Sequence, residues 1–204
     1  MRNNDRVIVE PRVVRIVLPT LLGDADILDE EDLMFTRFES ITDNTTVDPK
    51  PDFYDGARLR DIDKRSWRIL IRISLRRLMR MSMRILTTRT KFADDANDVP
   101  TIRYTAPVAP NFFLEAKTPR GGADVLKRQA CHDGVVGARA MHKLQSYAGR
   151  KPVYNNNAYT ITATYHAGTL EIYVTHVTSS PGGSLEYHMA QIGTWALHGD
   201  PNTY

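Results

Sequence analysis

Residues 111–119, NFFLEAKTP, decide how the rest of the chain reads. Phe112, Phe113 and Leu114 make an apolar run of the kind that fills a buried strand, and it leads directly into Glu115, Ala116 and Lys117. Successive side chains of a strand alternate between faces, so Glu115 and Lys117 share one face, roughly 6.6 Å apart along the backbone. Two readings fit an acid and a base placed this way. One is an ion pair at a sheet edge; the other is the floor of an active site.

The chain around this strand has 204 residues, 42% of them hydrophobic and 25% charged, which suits one domain with its own core. The single cysteine, Cys131, leaves no internal disulfide framework and points to a reducing compartment. No window approaches 18 apolar residues, and the N-terminus MRNNDRVIVEPRVV lacks the apolar centre of a secretory signal. A membrane span is therefore not expected, and nucleus or cytoplasm is the default location.

The net charge of +3 conceals a strong polarity. Residues 1–57 carry 6 basic and 13 acidic side chains, a balance of −7, whereas residues 58–91 carry 12 and 2, a balance of +10. Such asymmetry points to a polyanionic partner, or to one segment neutralising another.

Residues 6–19, broken by Pro11, read as extended structure. Residues 24–41, DADILDEEDLMFTRFESI, begin acidic and space Ile27, Leu28, Leu33, Met34, Phe35 and Phe38 at roughly helical intervals, which predicts a helix. A turn-rich loop at 42–51 and a short aromatic strand in PDFYDGARL (51–59) follow. From about Lys64 to Leu86 the absence of Gly and Pro predicts a long helix, and residues 91–110 read as an irregular connection. Residues 121–152 predict one helix with Asp124 near its start and Gly149 just past its end. Its small residues Ala130, Gly134, Gly137 and Ala138 suit close approach to a sheet. Two alternating runs joined at Ala167-Gly168 make residues 158–177 a hairpin. Residues 184–197 begin as a strand and read equally well onward as strand or helix. The sum is an α/β fold with a central mixed β-sheet flanked by helices, in one domain spanning 1–204, with a basic helical segment inserted at about 60–90.

Set side by side, KPDFYDGA (50–57), PNFFLEAKTP (110–119) and QACHDGVVGARA (129–140) resemble the PD-(D/E)xK nuclease superfamily, which has the restriction-endonuclease-like fold. More narrowly they look like an uncharacterised fungal branch of it, over roughly residues 35–195. The resemblance implies a Mg²⁺- or Mn²⁺-dependent nuclease cleaving phosphodiester bonds of DNA or RNA. It assigns Asp52 and Glu115 as carboxylate ligands of the metal, the Ala116 carbonyl as a further ligand and Lys117 as the residue serving the attacking water. Glu39 matches an extra metal-binding Glu, and Gln129 matches a Gln that steadies the site in related branches. Those branches often carry Tyr four residues after the Gln, where this chain has Asp133. The residue types suit the chemistry, because a hard divalent ion prefers carboxylate and carbonyl oxygens and a nearby ammonium offsets charge developing on phosphate. The bland alternative is a surface ion pair plus an Asp in the turn-prone PKPD.

Arg60, Lys64, Arg68, Arg72, Arg76, Arg80 and Arg84 recur every four residues, a row that drifts about 40° per step around a helix. Three readings of the row stay open. Arg68, Arg72, Arg76, Arg80 and Arg84 track a nucleic-acid backbone, the helix lies on an anionic membrane, or its arginines meet the acidic 24–32 segment of the same or another copy, making residues 64–86 a homo-oligomer interface. The six histidines form no metal-like cluster, and Cys131 and His132, adjacent on one predicted helix, point about 100° apart. Trp67 and Trp195 read as packing anchors. Beside the nuclease stands a function of another class: a catalytically inactive nuclease-fold module that binds nucleic acid or protein, as an effector, a toxin or an oligomerisation scaffold.

Overall fold

The computed structural model of the chain describes residues 27–36, 47–58, 105–146 and 154–197. The FFLEAK run lies in the longest buried strand, β3 (Val108–Lys117), with β1 (Leu28–Glu31) and β2 (Phe53–Ala57) before it. Helix α1 (Ala123–Gln145) follows, and then β4 (Thr160–His166), β5 (Thr169–Ser179) and β6 (Leu185–Ala196). The six strands form one mixed sheet in chain order, β1-β2-β3-β4-β5-β6. Only β3 and β4 run parallel, with Glu115 opposite Thr164 and Lys117 opposite His166; every other neighbouring pair is antiparallel. Parallel neighbours need a long crossover, and α1 supplies it.

A strand paired on both sides and covered on both faces reads as a continuous apolar run, which is why residues 112–116 were legible. Phe113 faces α1 and joins Phe35, Tyr54, Val136 and Ala140 in one buried cluster. Leu114 and Ala116 face the other way, in a second cluster with Phe53, Ala163 and Tyr165. The predicted hairpin is present at Ala167-Gly168. Both turn residues have positive φ, 50° and 81°, as a two-residue turn matched to strand twist requires. Residues 184–197 resolve as strand, because β6 pairs with β5 along its whole length.

Helix α1 lies against the sheet through its glycines. A Cβ on Gly137 would stand 2.6 Å from the Phe113 ring and 2.7 Å from a Thr160 methyl, and one on Gly134 would stand 2.6 Å from Thr175 Oγ1. The helix ends at Gln145 with Ser146 as its C-cap, a little earlier than the expected stop before Gly149, which lies outside the described residues.

The acidic helix predicted over 24–41 is not formed where the chain is described. Leu28–Glu31 is a strand paired antiparallel with β2, and Asp32 takes a left-handed φ of 55°. Residues 33–35 carry no helical turn, and the Phe35 N–H donates to the Pro49 carbonyl at 2.8 Å. Pairing with β2 and burial of Phe35 override a weak local preference, since propensity is outweighed by tertiary contacts in short segments. Trp195 also departs from expectation: it is 47% exposed and anchors no core. The arginine row from Arg60 to Arg84, the helix predicted at 64–86, the extended segment at 6–19 and Trp67 fall outside the described residues. Among the described residues one helix flanks the sheet, and no helix is long and apolar enough to cross a membrane.

The Gly137 contact yields a signed prediction. Alanine in a helix interior is favoured over glycine by about 1 kcal/mol. Overpacking a fixed ring and a β-branched methyl costs about 1–3 kcal/mol, and more for a branched side chain. Gly137→Ala is therefore expected to lower stability by a net ~1 kcal/mol and Gly137→Val by several, read as urea-unfolding midpoints. A midpoint for Gly137→Ala at or above the parent's would show that α1 lifts freely from the sheet.

Candidate active site

Strand register brings two of the expected residues together. Phe53 pairs with Leu114, so Asp52, one residue before β2, falls opposite Glu115 and on the α1 side of the sheet. The Asp52 side chain accepts a 2.8 Å hydrogen bond from the Ala116 backbone N–H, a contact between residues 64 apart in sequence. Within a strand the N–H and C=O of one residue point to the same side, so the Ala116 carbonyl faces the Asp52 side as well. Buried Pro51 holds the approach to this position.

Glu115 is 1% exposed, an extreme value for a carboxylate on the central strand of a sheet. Burial pushes its carboxyl far above the usual range, and the neighbouring Asp133 and Asp52 push it further; only the Asp52 backbone N–H opposes them. Asp52 itself is raised to about 6, chiefly by burial, against the hydrogen bond from Ala116. Lys117, two residues on, lies on the same face as Glu115, and burial lowers its ammonium below the ordinary lysine value. Its aliphatic stem is covered by Gly121, where a Cβ would stand 3.0 Å from that of Lys117. The β3–α1 loop is held in turn by a Gly121 N–H bond to the Thr118 carbonyl and by His166 Nε2, 3.1 Å from the Gly121 carbonyl.

The third carboxyl is Asp133, 2% exposed on α1, and sequence reasoning passed over it. Burial raises its pKa too, and the two carboxyls, hydrogen-bonded to each other, hold a proton and titrate as a pair. The signal available in sequence was its spacing: Asp133 lies four residues after Gln129, one turn along the same helix face. Gln129 is half-buried, and its Oε1 is buried without a partner. Asp52, Glu115, Ala116, Lys117 and Gln129 are thus all described on or beside β2, β3 and α1, whereas Glu39 lies outside the described residues.

Among the described residues no three His, Cys, Asp or Glu side chains already surround one point as a metal cage. The donor set is nevertheless the one a hard cation takes. Glu115 Oε2, Asp133 Oδ2 and Gln129 Oε1 are buried acceptors offered no N–H or O–H, beside a second strand carboxylate, Asp52. Orphaned buried oxygens of this kind are served by a proton or by a cation, and their residue types suit a hard divalent ion in place of the proton.

No protein-family model matches the chain, and neither a curated protein nor a solved structure matches it.

The raised carboxyls give stability a definite pH dependence. A carboxyl whose pKa is raised by folding keeps in the folded state a proton that the unfolded chain releases. Its contribution is full below the unfolded value and is lost as pH rises through the folded one. For Asp52 that window runs from 3.8 to about 6, and Asp55, cross-strand from Asp29, has the same one. In EDTA the protein is therefore expected to unfold at lower urea at pH 8 than at pH 5, Asp52 alone accounting for on the order of 1 kcal/mol after allowance for its partial solvent contact. Asp52→Asn should flatten the profile. A midpoint that rises with pH would contradict the buried-carboxyl arrangement.

Proposed function

We propose that the chain is a divalent-metal-dependent nuclease with a restriction-endonuclease-like core. The observation that carries this reading is the pairing of Asp52 and Glu115 on adjacent strands, with Lys117 on the same face. It is supported by a β3–α1–β4 unit in a mixed sheet and by the orphaned acceptor oxygens beside Glu115.

In this reading Asp52, Glu115 and the Ala116 carbonyl hold a Mg²⁺ or Mn²⁺ ion, and Gln129 lies against the same site from α1. When bound, such an ion neutralises phosphate charge and lowers the pKa of a ligated water. Asp52 is aimed by the Ala116 N–H, so its free oxygen is oriented before any ligand arrives. The buried position of Glu115 excludes bulk water, which strengthens every charge interaction there. Lys117 reaches the rim, partly exposed and partly desolvated, where an amine can orient the attacking water, take its proton in the neutral form, or steady the phosphoryl oxygens as the ammonium. A nucleic acid, DNA or RNA, is the polyanion that this set and the charge-rich sequence suit.

One observation favours a second reading, the catalytically inactive nuclease-fold module. Asp52 is hydrogen-bonded by Ala116 and Glu115 by Asp133, so both carboxyls have partners within the protein itself.

One assay separates the two. Labelled single- and double-stranded DNA and RNA are incubated with the protein in Mg²⁺, Mn²⁺ or EDTA. Cleavage that requires the ion and falls about 10²- to 10³-fold in Lys117→Ala is the expected outcome. Salt-sensitive binding without cleavage by the parent would remove the nuclease and leave the binding module.

A further inference from the structure

The buried polar atoms that lack a partner divide by chemistry. Thr160, Thr162, Thr175 and Ser146 are hydroxyls, which donate as well as accept, and the His142 ring nitrogen does either according to tautomer. Glu115 Oε2, Asp133 Oδ2 and Gln129 Oε1 are different: an amide oxygen only accepts, and so does a carboxyl once its proton is displaced. These three come together by construction. Gln129 and Asp133 are one helical turn apart on the same face of α1, and the Asp133 carboxyl meets that of Glu115 on β3. Gly134, next to Asp133, lets the helix down onto Thr162 and Thr175 of the sheet, which brings Asp133 to the level of the strand side chains.

We propose that α1 is the second wall of the ion site: the Asp133 carboxylate and the Gln129 carbonyl join Glu115 in coordinating the divalent cation. The inference deepens the nuclease reading and rests on it, but it assigns to the helix a ligand role that the strand pair Asp52 and Glu115 does not require. An oxygen-only set containing two carboxylates and a neutral carbonyl selects a hard cation of the Mg²⁺ or Mn²⁺ type over zinc or copper, which favour nitrogen and sulfur donors. Asp133 is 2% exposed, so a bare charge there has no water to turn to.

Mn²⁺ binding to the full chain at pH 8, followed by the loss of the free-ion electron paramagnetic resonance signal, tests the assignment without any turnover. The variants are Asp52→Asn, Asp133→Asn and Gln129→Leu, with unfolding midpoints in EDTA to establish that each is folded. The expected result is at least a tenfold weaker Mn²⁺ affinity for Asp133→Asn and a threefold or greater weakening for Gln129→Leu, which alters a half-buried side chain and keeps the test alive if Asp133→Asn does not fold. Affinity unchanged or tighter in both folded helix variants, with Asp52→Asn weakened, would overturn the helix ligands and leave the strand site standing. A parent that takes up no Mn²⁺ at millimolar concentration would remove the metal-dependent reading, and the helix ligands with it.

Discussion

Burying a carboxyl in the central strand of a sheet is the constraint around which the described structure is arranged. Glu115 has Phe113 two residues before it on the same face, Leu114 and Ala116 beside it on the other, and a helix above. An isolated ionised carboxylate there would cost more than a whole domain's net stability, so the group must carry a proton or be compensated by neighbours. Everything nearby serves one of those ends. The Asp52 backbone N–H points at it, and the Asp133 carboxyl shares a hydrogen bond with it. A protein selected only for stability would place Val or Ile at 115, so a Glu at this depth is a cost that the proposed ion site would explain.

The helix is the other half of that arrangement. Its small residues are spent on the approach to β3, β4 and β5, where Gly134 and Gly137 let backbone sit over Thr175, Thr160 and the Phe113 ring. The resulting closeness is what makes Asp133 and Glu115 partners; with bulkier residues at those two places, α1 would ride higher and the two carboxyls would part. Stability and site geometry are thus set by the same two glycines.

The strand at 108–117, the Ala167-Gly168 hairpin and the helix after Asp124 were legible in sequence because each writes its burial into a local pattern: a continuous apolar run, an alternation, a row of small residues. Asp52, Glu115, Lys117 and Gln129 were singled out by resemblance alone, and register accounts for how the first two meet. β1 was not legible. Its four residues, LDEE, are too few to show a period of two, and the apolar residues around them imitate a helix until Phe35 is seen to plunge into the core. Asp133 was passed over for another reason: its spacing from Gln129 is the only mark on its own helix, and its contact with Glu115 exists only across the gap to β3.

Asp52 reaches the site through strand pairing alone, and its bond to Ala116 closes 64 residues of chain, most of them in the connection from β2 to β3. The entropy of closing a loop rises only logarithmically with its length, about 0.6 kcal/mol for each doubling. By that scaling, a longer or shorter stretch of sequence between Asp52 and Glu115 changes closure entropy little. Sequences that share this carboxyl pair are free to differ most there, and a reader searching for them by the spacing between the Asp and the Glu would be using the least constrained number in the molecule.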